Sequence, residues 1–363
     1  MKSLKLTLLL MCSFALAHGQ REKTDLEKDK LKGPVKSIIS VGYKPDLNNG
    51  KVRKGREVHI SESKYNNKGF VTFFEATAGK DTVEGLYVNY NAEKTTYVYD
   101  NKNNLIGANN YDRDGNLDDS SSYTVDNKGN RIDWYTYHAD GTVAQNFTTE
   151  YDNMGNMLES NEYDNGKLKE RHTYKYDEKN RQSEDNFFGP DGRMRWKETF
   201  NYDQKGNLVE VTDYKRNGSF DARFVYGYDV KGNQIEEKEY TSESSLKHKR
   251  ILTKYDTAGN ITEVNQFNEA GKFSSQCKMD KRGNHTLDVT YFPDGSLQEK
   301  VIQSYKYDDH GNEAEQIRYY ADGRVAVTKD FKYDYDRKGN WVKKTTYENG
   351  KPMRITEREI DYY

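Results

Sequence analysis

A six-residue turn recurs along this chain: an aromatic residue, Asp, two spacers, then Gly-Asn. It reads YDNMGN at Tyr151–Asn156, YDQKGN at Tyr202–Asn207 and YDVKGN at Tyr228–Asn233, and returns at Tyr255–Asn260, Tyr307–Asn312 and Tyr335–Asn340. A second turn falls between these, as in YHADG at Tyr137–Gly141, YKRNG at Tyr214–Gly218 and YYADG at Tyr319–Gly323. In a regular unit Gly206, Gly218 and Gly232 lie 12 and 14 residues apart, a period of 26. Self-similarity at such a period makes the repeat, rather than any single site, the determinant of the fold.

Between the turns lie short runs rich in Val, Thr, Phe and Tyr. Leu208–Tyr214 and Phe220–Tyr228 are bounded by Asn, Asp and Gly, the pattern of strands joined by tight hairpins. Gly stands where the turn needs a positive φ, and 18 of the 28 glycines fall in these turns, from Gly69 to Gly350. Two residues after the Gly of the second turn type comes an apolar residue, Val143, Leu168, Met194, Phe220, Phe273, Leu297 and Val325, with Met353 three residues after Gly350 and Leu246 in the unit that lacks the Gly. Alternation from these positions places Met194, Trp196, Phe200 and Tyr202 on one face, and Phe220, Phe224, Tyr226 and Tyr228 likewise. Arg195, Lys197 and Thr199 fall on the other. One buried and one wet face is the mark of an antiparallel sheet.

The expected fold is therefore all-β: a long antiparallel hairpin meander of ~26-residue repeats, coiled by right-handed twist into a twisted or spiral sheet with its aromatic face inside. Ser242–Leu246 lacks the turn glycine, and the strand before Tyr255 is one residue longer, which predicts a bulge. Residues 20–98 read as a charged lead-in followed by a divergent β cap over the first edge strand, with irregular turns at Ala78–Lys80 and Asn89–Ala92. Residues 99–363 form the array, ending in a charge-protected edge strand at Arg354–Tyr363.

Composition bears on whether such a chain folds. Its apolar fraction is 33% and its mean hydropathy −1.13, values that usually accompany disorder. The 30 Tyr and 14 Phe are periodic, however, and Tyr carries a large apolar body with a polar tip, so a folded sheet is expected.

Residues 1–19 read as a secretory signal: Lys2 and Lys5, an apolar run Leu6–Leu16, and Ala17-His18-Gly19 before Gln20. The mature protein is expected in the periplasm, at the cell surface or outside the cell. Met11 is too bulky to precede a lipidated Cys12, so lipid anchoring is not expected, and no later segment is apolar enough for an integral membrane helix. Cleavage leaves Cys277 without a disulfide partner, in a strand where it reads as a small buried filler. The formal charge of −2 becomes −4 once Lys2 and Lys5 are removed, which argues against nucleic acid as a partner.

The YDxxGN…YxxDGxL pattern resembles the YD repeats of the Rhs and teneurin group, from about Tyr99 to Met353. The turns Tyr163–Leu168 and Tyr347–Lys351 are also similar to MORN-like repeats. With the signal and the GPVKSI segment at Gly33–Ile38, the chain resembles secreted YD-repeat proteins of Bacteroidetes-type bacteria. The resemblance implies an extracellular β-rich shell or spiral that binds carbohydrate. The chain departs from full Rhs proteins in showing no autoproteolytic core segment and no appended toxin-like domain.

Reaction chemistry is not legible. Asp112-Arg-Asp114-Gly-Asn116 approaches a calcium loop, but Leu117 and Tyr123 occupy the positions where an EF-hand needs Gly and Glu. Asx-turn chemistry explains those residues instead. None of the six remaining histidines pairs with another ligand at a recurrent spacing, and no nucleophile elbow, P-loop or dinucleotide fingerprint is present. No catalytic residue, metal site or cofactor is assigned. Among the tryptophans, Trp196 falls on the aromatic face, whereas Trp134 and Trp341 are the candidates for an exposed ligand platform. The expected role is a non-enzymatic binding module for a glycan or an envelope protein, the alternative being a structural element of the cell envelope.

Overall fold

The computed structural model describes residues 23–48, 51–77, 79–83, 86–90, 93–241 and 246–363. The signal-like segment and residues 242–245 lie outside them. A single helical turn, α1 (Asp25–Lys28), is closed by a capping box between Thr24 and Glu27. Everything after it is strand and turn. The chain enters with β1 (Val35–Asn48), β2 (Lys51–Tyr65) and β3 (Val71–Ala76). A small separate hairpin follows, β4 (Gly79–Val83) with β5 (Leu86–Tyr90), and then β6 (Glu93–Tyr99). Twenty more strands run in sequence from β7 (Leu105–Tyr111) to β26 (Lys351–Tyr362). Of the irregular turns expected at Ala78–Lys80 and Asn89–Ala92, residues 79–80 lie in β4 and 89–90 in β5, and 78, 91 and 92 lie outside the described residues.

Pairing is antiparallel throughout, each strand with its neighbours in chain order once the β4–β5 excursion is set aside. The meander expected from the turn spacing is therefore what forms. Its ends correct one expectation. β26 is not an edge strand, because it pairs with β1 from Val35↔Tyr362 to Tyr43↔Ile355. The 24 strands of the main sheet thus close into a ring. Closure removes the free edges that a spiral would leave exposed. At a spacing of ~4.8 Å the ring is roughly 115 Å around. It has more strands than the 16–18-stranded barrels that already enclose water, so its own side chains cannot fill it.

Each Gly-Asn turn is held by one hub. Asp229 Oδ1 accepts from the N–H of Lys231 and of Asn233, and its Oδ2 accepts from the Asn233 amide. Gly232 closes the loop at φ +87°, donating to the Asp229 carbonyl. Asp112 is occupied in the same way by Asp114 and Asn116, which is the turn chemistry expected of that segment. The 18 hairpin glycines all have φ between +70° and +95°. The extra residue before Tyr255 makes a second register shift between β18 (Leu246–Tyr255) and β19 (Ile261–Asn268), the bulge that the strand length predicts.

Antiparallel order also sorts the turns. From Gly129 onward the Gly-Asn turns follow even-numbered strands and lie on one rim, and the second type follows odd-numbered strands and lies on the other, where the Gly115-Asn116 turn after β7 also falls. The apolar residues that open the even-numbered strands therefore sit at this second rim rather than in a core. Val143, Phe273, Leu297 and Val325 are all exposed, because each pairs directly with the residue before its turn across a register shift, which turns it away from the face expected by alternation.

Only nine apolar side chains are buried among the described residues, and seven of them belong to α1, β1–β3 or β26, the elements at or next to the closure: Leu26, Val35, Ile38, Val58, Tyr65, Ala76 and Ile355. Leu26 of α1 packs with Val35, Ile38 and Tyr65, backed by Ile360 and Tyr362. The core of this protein is its seam. Elsewhere the wall is one layer thick, and Phe200, Tyr202, Phe224, Tyr226 and Tyr228 are half-buried rather than sealed.

Candidate functional site

The register fixes which side chains share a face. Phe200, Val211 and Phe224 oppose one another across three strands on one side, and Thr199, Thr212 and Arg223 do so on the other. Extending this register around the ring puts Tyr65, Tyr226, Tyr333, Lys344 and Arg358 on the first face. Burial is the main cause of every shift in this group. It pushes Tyr65 and Tyr333 up to about 12, raises Tyr226, lowers Lys344 and brings Arg358 down to about 10. On the second face, burial acts against Glu184, Glu263 and Glu357 but is outweighed by lysine and amide hydrogen bonds, so all three are lowered. Protein atoms crowd the concave side of a curved sheet, so the aromatic face is the concave one.

A bulge after each Gly-Asn turn adds a rule that plain alternation lacks. Tyr335 pairs with Trp341 directly while Asp334 pairs with Lys343, so the residue after Asn rotates onto the concave face. Trp341 accordingly meets the edge of Tyr333 at 6.2 Å and lies under the Arg358 guanidinium at 3.4 Å. Trp134 is on the same face, between Tyr123 (5.9 Å) and Phe147, with which it stacks at 4.7 Å and 18°. Trp196 is there too, against Phe187 and the His172 ring. All three tryptophans thus line the inner wall, each half-buried within an aromatic row. Trp134 and Trp341 are not isolated platforms, and Trp196 does not differ from them in kind.

Polar groups sit between these rows. Asp185 pairs with Glu198 and Glu198 with Asp213, placing three carboxylates in register across neighbouring strands, and Asp185 contacts His172 Nδ1 at 3.1 Å. Near the seam, Glu313 is raised by burial, against the attraction of Lys344 and Lys329. A shallow recess of about 300 Å³ lies beside α1, lined by Asp25, Asp29, Tyr65, Phe74 and Tyr97.

One further group was not legible from spacing. Cys277 and Asp288 oppose each other in the hairpin of β20 (Phe273–Met279) and β21 (His285–Tyr291). His285 follows the Gly283-Asn284 turn and pairs with Met279 across the bulge, which brings it to the same side. Its Nδ1 lies 2.8 Å from Asp288 Oδ1 and 3.3 Å from Cys277 Sγ. Cys277 is a half-buried member of a polar cluster rather than an apolar filler. Burial first, and then the Asp288 carboxylate, push its thiol up to about 12. The missed signal was register: cross-strand partners around a four-residue turn do not follow metal-motif spacings.

No family model and no curated protein matches the chain. Among solved structures it is similar to a chain of the TcdB2-TccC3-Cdc42 crystal structure, at 15% identity and a TM-score of 0.43, covering 86% of this chain and 17% of that one. A TcdB2-TccC3 structure matches at 15% identity and a TM-score of 0.41, with 84% and 18% covered. A porin-like protein from Bacteroides uniformis matches at 11% identity and a TM-score of 0.24, with 91% and 98% covered. At these scores the likenesses add nothing to what the strand register itself establishes.

Proposed function

We propose that the protein is an exported, non-catalytic module that binds an extended glycan along the concave face of its closed sheet. The carrying observation is that all three tryptophans lie on that one face, in aromatic rows separated by carboxylates and amides. Sugar rings present apolar faces and hydroxyl edges, which such rows can stack on and hydrogen-bond in alternation. A repeated wall suits a long ligand gripped by many weak contacts. Both faces carry charge in mid-strand, Asp185, Glu198 and Asp213 inside and the Lys175–Glu184–Lys197 cluster outside. That composition does not suit a lipid-facing band. The test is a glycan array, followed by titration of the binding class with Trp134→Ala and Trp341→Ala proteins. Each substitution is expected to weaken binding by about tenfold, or about 1.4 kcal/mol, while circular dichroism keeps its sheet signal. Absence of any bound glycan, or binding indifferent to both substitutions, overturns the reading.

A second reading, an assembly element of the cell envelope, is favoured by the exposed apolar fringe of Val143, Phe273, Leu297 and Val325 along one rim. Sedimentation at rising concentration separates the two: self-association abolished by Leu297→Lys with Val325→Lys would support assembly.

A further inference from the structure

A single proton on His285 Nδ1 serves only one of its two neighbours. If this nitrogen donates to Asp288 Oδ1, at 2.8 Å, it has no lone pair for the Cys277 thiol 3.3 Å away. If it accepts from the thiol instead, it carries no proton for the carboxylate, which only accepts. A soft-to-borderline cation takes a lone pair from each of the three atoms at once. Those atoms all lie within 4.8 Å of one another. Tetrahedral zinc, with bonds of about 2.0–2.3 Å, needs ligand atoms roughly 3.3–3.5 Å apart. The Cys–His distance already fits, and the His–Asp distance needs to open by about 0.5 Å to reach that separation.

The placement is rigid where it needs to be. Cys277 and Asp288 are held by the β20–β21 ladder, and His285 by the turn whose hub is Asp280. The His285 and Asp288 side chains remain 54% and 38% exposed, so a fourth position stays open to solvent or to a ligand on the concave side. Thiolate and carboxylate together neutralise a divalent charge.

We propose that Cys277, His285 and Asp288 form a three-ligand site for a divalent cation of the zinc class, open on the concave wall. Binding releases the thiol proton, as any thiolate-ligated metal requires. This inference does not rest on the glycan reading.

The test uses the full chain carrying Cys12→Ser, so that Cys277 is the sole thiol, titrated with Co²⁺ alone and then with Zn²⁺ alone. One equivalent of Co²⁺ is expected to give a thiolate-to-metal charge-transfer band and tetrahedral visible bands, both erased by one equivalent of Zn²⁺. Cys277→Ser should abolish the charge-transfer band. His285→Ala and Asp288→Asn should each weaken Zn²⁺ by at least about tenfold, in line with the loss of one of three protein ligands. The exposed His138→Ala is expected to change nothing, and far-ultraviolet circular dichroism checks that each variant is folded. A folded parent protein without the charge-transfer band overturns the proposal, as does a Zn²⁺ affinity unmoved by Cys277→Ser and His285→Ala.

Discussion

The Tyr307 hydroxyl donates a 2.6 Å hydrogen bond to Oδ2 of Asp280, the hub of the Gly-Asn turn 27 residues earlier. Each repeat thus closes with its tyrosine on the turn before it. Tyr335 and Tyr362 reach Asp308 and Asp336 in the same way. In the middle of the chain the acceptor changes: Tyr202 and Tyr228 donate to the carbonyls of Gln182 and Leu208, at 2.8 and 2.6 Å. The YD…GN motif is therefore both a turn and a clasp between turns.

Removing a clasp should cost more where its acceptor is charged. Tyr307→Phe is expected to destabilise by about 1.5–3 kcal/mol and Tyr228→Phe by about 0.5–1.5 kcal/mol, the ranges for charged and neutral acceptors. Chemical denaturation of both variants checks this. Equal losses would mean that the phenol–carboxylate bond carries no special weight.

Stability should fall at both ends of the pH scale. Burial acts to raise Asp280, but the Tyr307 hydroxyl and the backbone N–H groups of Arg282 and Asn284 outweigh it, leaving the carboxyl below its usual 3.8. Asp308 and Asp336 follow the same balance. A depressed folded pKa means stabilisation present above 3.8 and lost as the pH falls through the folded value. Tyr307 is pushed up to about 12, by burial and then by Asp280. Its stabilisation is complete below its usual 10 and is lost as the pH rises towards 12. Melting temperature should therefore hold from about pH 5 to 9 and drop on either side. In Tyr307→Phe the alkaline drop should shrink, and an unchanged profile would contradict the assignment.

The seam should matter more than the wall. Ile355 is 2% exposed, so Ile355→Ala is expected to cost about 2–5 kcal/mol. Phe224 is half-buried in a single layer, so Phe224→Ala should fall below the roughly 3–5 kcal/mol of a sealed ring despite its greater size. Thermal melts of the two variants decide the order. A larger loss at Phe224 would place the core in the wall after all.

Turn glycines should act through backbone conformation alone. Gly206 has φ +95°, and a Cβ added there would meet nothing within 4 Å. Gly206→Ala is expected to cost about 1–2 kcal/mol from the left-handed conformation. Gly206→Asn should cost less, because Asn tolerates that region. Equal costs would show that another feature of the turn is at work.

The residues alone determined the strands, the turns and their order, because those depend on local terms. Gly206 and Gly232 need positive φ, Asp203 and Asp229 bind their own turns, and alternation from Phe224 to Tyr228 sorts one face from the other, although the bulge after Gly218 turns Phe220 onto the opposite face beside Tyr214. The non-local facts needed tertiary structure. That β26 closes on β1 depends on partners some 300 positions apart, as in the Ser37–Asp361 hydrogen bond, and no local pattern announces it. Closure in turn decided that Val35, Ile38 and Ile355 form the core, while the more numerous aromatics stay half-buried on a wall one layer thick. The bulge after each Gly-Asn turn decided the facing of Trp341 and His285, because one extra residue in the register reverses the parity that alternation assumes. Trp341 therefore lies under Arg358 and His285 beside Cys277, two neighbours that reading along the chain could not supply.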